Sequence, residues 1–277
     1  MKMFILGLDG LDHDLVEKWN LTYLLQRDHG KIEVPLNPKT KKPLSPSVWA
    51  SFLSGKWITD VGFRFESHHD APLSPMLNLL RKIRRHVPVR LGVGNKIRRL
   101  PKELWKSTHA QYGFPNLDMR LFVDHPSVET FDCPFRNPRN QVLKVIHDFV
   151  NERITASEAT LKFMRIYHAK KMQVIKHAKK SKAKVYFAYL NFPDAICHFM
   201  YHMPNAIMDH YCDLNCFVSI LKSTINHELF LIVSDHGFDL SEGSHSDYGF
   251  YSCNKPLNPK PQKITDFHNL IMEVIEG

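Results

Sequence analysis

Six side chains in this sequence have the types and spacing that hold divalent cations. Asp9 follows FILGL, Asp194 follows YFAYLNFP and Asp235 follows LFLIVS, so three short apolar runs each end within a few residues in a carboxylate. His198 stands four residues after Asp194, which places both on one face of a helix. His236 directly follows Asp235 in SDHGF, and His245 lies in the Gly/Ser-rich stretch GSHSDYG. Aspartate oxygens and imidazole nitrogens are donors that Zn²⁺ or Mn²⁺ accepts, and six of them are enough for two ions about 3.5–4 Å apart. A single post-strand aspartate is more simply a turn residue or a helix cap. Recurrence after three runs, twice with histidine partners, points to a site.

Such a site needs a nucleophile, and PLSPSVWASFLSG (residues 43–55) offers two, Ser45 and Ser47. The spacing of Val48, Phe52 and Leu53 after Pro46 predicts a helix beginning here, whose first N–H groups favour a phosphate. A serine beside a divalent cation has an acidified hydroxyl and becomes a useful nucleophile. The residues by themselves leave both serines open.

The elements that must position these groups are legible around them. Met3 to Leu8, Val185 to Leu190 and Leu229 to Val233 are too short for helices and are patterned as fully buried strands. Ligands of an open parallel sheet bind beyond the carboxyl ends of its strands, so the three acids would meet in one crevice. Residues 140–182 contain no Pro or Gly and predict one long helix or two. This alternation argues for an α/β fold, a mainly parallel sheet flanked by helices. Residues 65–140, rich in Pro, Arg, His and Phe, suit an inserted cap, leaving 1–64 and 141–277 as the catalytic core. Inside the cap, Met76, Leu79, Leu80 and Ile83 alternate with Arg81, Lys82, Arg84 and Arg85 as a basic amphipathic helix that Pro88 stops.

With 277 residues, 43% hydrophobic and 23% charged, the chain has room for a sizeable core and is neither disordered nor fibrous. Its net charge of +9 is unevenly placed: residues 76–106 carry +9 and residues 162–184 another +9, leaving the remainder at −9. The acidic remainder holds the six candidate ligands, as a site for two dications requires. Residues 162–184 read as a solvated helix face, whereas 76–106 suit an anionic membrane surface or a polyanionic substrate. No nucleic-acid reader motif is present, so nucleic acid is expected only as substrate. Five cysteines without a CxxC pair fit a reducing compartment. No signal-peptide pattern and no run of membrane-spanning length is found, which gives a cytoplasmic expectation.

Taken in order, LDG at 8–10, Ser45 nine residues before Ser54-Gly55, DAICH at 194–198, SDHGF at 234–238 and His245 resemble the type I phosphodiesterase/nucleotide pyrophosphatase family of the alkaline phosphatase superfamily. The resemblance implies an alkaline-phosphatase-like core and two divalent ions, Zn²⁺ with Mn²⁺ as the alternative. It implies one ion held by Asp9, Asp235, His236 and the Ser45 oxygen, and the other by Asp194, His198 and His245. It also implies that Ser45 attacks a phosphoric ester and forms a covalent phospho-serine. Family members often place a phosphate-holding asparagine after the TG pair; residues 61–70 have none, and Arg64 and His68 are the candidate substrate donors there. The sulfatase pattern, Cys or Ser followed by x-Pro-x-Arg, is absent. Two other readings are a phosphomonoesterase or headgroup phosphotransferase at a membrane surface, and a basic polyanion-binding protein with a relic core. The relic reading requires a broken ligand set, and all seven positions are filled.

Overall fold

A computed structural model of the chain describes residues 1–61, 117–136, 138, 141–151 and 153–277. Arg64, His68 and the basic segment 76–106 lie outside the described residues, as does most of the expected cap. The chain divides into two compact units, one of Met1–Val61, Phe114–Arg139 and Arg165–Gly277, the other of Gly62–Gly113 and Asn140–Met164.

The first unit is built on a six-stranded sheet. Its strands are β1 (Met3–Leu8), β2 (Asp28–Glu33), β3 (Val128–Phe131), β4 (Val185–Leu190), β5 (Leu229–Ser234) and β8 (Tyr248–Cys253), in the order β2-β8-β5-β1-β4-β3. β1 pairs in parallel with β4 and β5, and β3 with β4, while β8 runs antiparallel to β5 and β2 antiparallel to β8. The fold is thus α/β with a mostly parallel sheet. β3 lies within 65–140, so residues 128–131 belong to the central sheet and not to an insertion. Two two-residue strands, β6 (Phe238–Asp239) and β7 (Ser244–His245), form a separate hairpin.

The three apolar runs form β1, β4 and β5, and nearly every residue in them is buried because helices cover both faces. On one face Met3, Ile5, Phe187 and Leu231 pack with Trp49 and Phe52 of α2 (Ser45–Ser54) and with Phe267 and Ile271 of α7 (Asp266–Glu276). Truncating a ring as enclosed as Trp49 or Phe52 to alanine costs about 3–5 kcal/mol. On the other face Phe4 stacks between Tyr186 and Phe230. There α1 (His13–Lys18) meets Phe250 through His13, and Trp19 packs edge-on against Tyr211 of α6 (Pro204–Thr224).

The stretch 140–182 forms two helices, α3 (Gln141–Val150) and α4 (Ala156–Ala178). Thr155 and Glu158 cap α4 reciprocally, each side chain accepting from the other's backbone N–H. From residue 165 onward α4 belongs to the first unit. It buries Tyr167 and Val174 and exposes most of its basic residues, yet Lys170 is buried. α5 (Phe192–Met200) follows β4 almost directly, with Pro193 in its first turn. Among the described residues, no helix is long and apolar enough to cross a membrane.

Candidate active site

The register brings the three aspartates together. Leu8 lies opposite Leu190 and Gly7 opposite Val233, so the carboxyl ends of β1, β4 and β5 are level. Gly10 then joins them. It has φ +73°, a Cβ there would stand 2.7 Å from the Asp194 Cα, and its N–H donates to Asp235 Oδ1 at 3.2 Å. The Asp194 N–H donates in turn to the Asp9 carbonyl at 2.8 Å. Only glycine tolerates both that φ and that approach.

Around these acids the imidazoles converge by their Nε2 atoms. His236 Nε2 is 3.5 Å from Asp9 Oδ1 and 3.4 Å from Asp235 Oδ2. His198 Nε2 and His245 Nε2 are 3.2 and 3.4 Å from Asp194 Oδ1 and 2.9 Å from each other. His245 owes its place to the β6–β7 pairing, which sets it opposite Phe238, and its ring stacks on that of His236 at 3.8 Å. The second nitrogens have acceptors of their own: His236 Nδ1 is 3.0 Å from the Gly237 carbonyl and His245 Nδ1 is 3.2 Å from that of Pro43. Assigning Nδ1 as the donor in each leaves Nε2 with its lone pair toward the cluster, the arrangement metal-binding histidines adopt.

Ser45, the first residue of α2, places its Oγ 3.1 Å from His236 Nε2 and donates to Asp9 Oδ1 at 3.3 Å. Ser47 is turned about 200° further round the helix. Its Oγ is buried and has no hydrogen-bond partner, so of the two serines Ser45 is the one beside the carboxylates. Leu44 at the N-cap supplies no capping side chain, which leaves the first turn of α2 open to an anionic acceptor.

The electrostatics follow from burying three carboxylates together. Burial, then repulsion from Asp194, raises Asp9 to about 7. Burial, then Asp9 and Asp194, raises Asp235 well above the carboxylate range. Burial works the same way on Asp194, but His198 and His245 overcome it and hold that carboxyl well below its usual value. Burial and the neighbouring His245 lower His236 to about 3, so its imidazole is neutral. Burial opposes charge on His198 too, yet Asp194 raises it overall.

The residues fit divalent cations. Asp194 Oδ1 and Asp235 Oδ2 are buried without a hydrogen-bond partner. Two sets of ligand atoms each lie within 4.8 Å, namely Asp9, Asp235 and His236, and Asp194, His236 and His245. His236 therefore stands between the two sets, whereas the family resemblance implies a place for it in only one. His198 extends the second set.

Three residues that the sequence reading passes over hold this cluster in shape. Trp49 Nε1–H donates to Asp9 Oδ2 at 3.3 Å, and the Tyr189 hydroxyl donates to the same oxygen, leaving Oδ1 for Ser45 and His236. Both look like ordinary core residues, and no spacing marks them. The third is Asp12, buried at the N-cap of α1, where its Oδ1 accepts from the Leu15 N–H. Its Oδ2 accepts from the Phe238 N–H at 2.9 Å, Ser246 Oγ at 3.1 Å and the Tyr248 hydroxyl at 2.9 Å, and so pins the loops carrying His236 and His245. A Cβ at position 237 would stand 2.1 Å from that oxygen, which accounts for the glycine of the DHG motif. An Asp before a helix is a visible cap signal; the loops it reaches are not visible in the sequence.

No protein-family profile matches the chain, and no curated protein matches it. Among solved structures it is similar to the alkaline phosphatase of the Antarctic bacterium TAB5, at 11% identity and a TM-score of 0.45 over 99% of this chain and 98% of that one. A mutant of that enzyme with Mg bound gives 12% identity and 0.48 over 99% and 97%. The PH0037 protein of Pyrococcus horikoshii gives 11% and 0.46 over 99% and 97%. Resemblance at this level assigns no activity.

Proposed function

We propose that the chain is a metal-dependent phosphoric-ester hydrolase of the phosphodiesterase or pyrophosphatase type, with Ser45 as nucleophile. The observation that carries this reading is the placement of Ser45 Oγ, 3.1 Å from His236 Nε2 and 3.3 Å from Asp9 Oδ1, at the open amino end of α2. The preference for diesters rests on the motif resemblance. Asp9, Asp235 and His236 would hold one divalent ion with the Ser45 oxygen, and Asp194, His198 and His245 the other, with His236 close to both. Zn²⁺ suits these donors best, with Mn²⁺ as the alternative. Bound there, such ions supply Lewis-acid charge to the serine oxygen and to the phosphoryl oxygens.

The chain's own groups do the rest. The first turn of α2 orients a phosphoryl oxygen, and Asp9 Oδ1 accepts the Ser45 hydroxyl hydrogen bond that aims its oxygen, the proton leaving to solvent. Attack on phosphorus forms the Ser45 phosphoester and expels the alcohol or phosphate leaving group. Water then cleaves that ester and restores the hydroxyl. Trp49 and Tyr189 keep Asp9 from rotating away during both steps. Residues 76–106 are proposed to contact an anionic surface or substrate. The test is release of p-nitrophenol from the bis-nitrophenyl diester with Zn²⁺ or Mn²⁺. Wild type should turn over, Ser45→Ala should not, and faster release from the monoester would favour the phosphomonoesterase. Equal activity in Ser45→Ala would sink the nucleophile assignment.

A further inference from the structure

We propose that His13, Glu17 and His29 form a separate site for a single divalent cation of the zinc type, clamping α1 to the sheet-edge strand β2. None of the three belongs to the Ser45 cluster, so the site stands or falls independently of the proposed hydrolase. Each offers one ligand atom, all within 4.8 Å of one another. His13 opens α1 and Glu17 lies one turn on, with His13 Nε2 3.5 Å from Glu17 Oε1. His29 comes from β2, whose pairing with β8 puts it opposite Ser252, and its ring centroid is 6.2 Å from that of His13.

The surroundings of both rings point to a ligand at this spot. His29 Nδ1 is 2.9 Å from the Gln26 carbonyl. Gln26 is itself buried and fixed, bonding through its side chain to the carbonyls of Phe230 and Ser252 and through its N–H to Ser252 Oγ. His13 Nδ1 is 3.1 Å from Asp14 Oδ1, and the ring sits edge-on to Phe250 at 5.3 Å. With Nδ1 the donor in each ring, both Nε2 atoms carry lone pairs, and an outer carbonyl and an outer carboxylate orient the rings as around a bound metal.

Two imidazoles and one carboxylate, with water in the remaining position, are a zinc donor set. Donors of a tetrahedral Zn²⁺ stand about 3.3 Å apart, so the His13–Glu17 pair is already close to the required spacing. The half-exposed Glu17 arm can close the remainder and leaves the ion a route in. The nearby cation, Lys31, is balanced by Asp14 at 2.8 Å and lies over the Tyr248 ring.

The experiment uses full-length protein in which Asp194→Asn and Asp235→Asn have disabled the larger cluster. Dialysed against Zn²⁺ or Co²⁺, it should retain about one ion per chain and gain thermal stability on metal addition. His29→Gln should abolish both, and Glu17→Gln, at an exposed position that does not threaten folding, should weaken binding more than about tenfold. In otherwise native protein His29→Gln should lower the metal content by one while diester hydrolysis persists. Loss of hydrolysis in native protein without change in this ion would count against the hydrolase alone. No ion in the disabled protein, an ion indifferent to both substitutions, or an imidazole NMR titration showing His13 protonated between Asp14 and Glu17 and unmoved by Zn²⁺ would each overturn the proposal.

Discussion

Each of the four parallel strands of the sheet is followed within four residues by an aspartate, yet the one after β3 lives in a different electrostatic world from the other three. Asp132 directly follows β3 and pairs with the ammonium of Lys170, both almost fully buried. Asp9, Asp194 and Asp235 face one another and a set of imidazoles, with no ammonium or guanidinium bonded to them among the described residues. At β3 the chain carries its own counter-ion, so the acid is structural. At β1, β4 and β5 the described residues bring only imidazoles to the acids, an arrangement that suits a site for dications. Of the four acids, the one paired with a lysine is accounted for by that ion pair, and the three that face imidazoles are the candidate ligands.

The largest expected effect tests the balanced side. Lys170→Met should destabilise the fold by about 3–5 kcal/mol in urea titrations, because it takes the ammonium away from a buried carboxylate, and adding Asp132→Asn should recover most of it. The unbalanced side should respond with the opposite sign. In chelator, Asp235→Asn should raise stability by about 1–3 kcal/mol, since it removes a buried carboxyl oxygen without a donor, and should reduce the stabilisation that Zn²⁺ gives the native chain to the share supplied through His13, Glu17 and His29. If both variants destabilise the metal-free protein alike, the contrast fails.

Next in size is the pH dependence of ion binding. Asp9, raised to about 7, must release its proton to ligate, so Zn²⁺ affinity should be full above pH 7 and fall about tenfold per unit below it. The raised Asp235 should steepen that fall, whereas His236, lowered to about 3, stays neutral and adds nothing. Competition with a chromophoric chelator from pH 8 to pH 5.5 measures the slope; a flat profile would mean that Asp9 is not a ligand. The smallest effect concerns orientation. Tyr189→Phe removes one donor to Asp9 Oδ2 and should cost about 1 kcal/mol, or about fivefold in turnover, with metal content unchanged.

How much of this was legible in the sequence depends on the range of the interaction. β1, β4 and β5 announce themselves because burial on both faces demands an unbroken apolar run. β3 does not, since VETF is four residues long and only partly buried. The candidate ligands were legible because Asp-x-x-x-His and Asp-His-Gly carry their geometry locally. Ser45 and Ser47 became distinguishable only through the phase of α2. Trp49, Tyr189 and Asp12 act across 40, 180 and up to 236 residues, distances over which sequence spacing carries no signal.

The Gly10 bond to Asp235 spans 225 residues and closes a turn whose neighbour is the Asp194 backbone. It would make ion capture at the Ser45 cluster a late event in the life of the chain. During synthesis, Asp9 and Ser45 leave the ribosome long before β4 and β5 exist, and until those strands dock on β1 a cation at the Ser45 cluster would meet only a fragment of its proposed ligand set. Loading of the Ser45 cluster with its ions would therefore act as a checkpoint on finished folding, since only a completed sheet would retain them there.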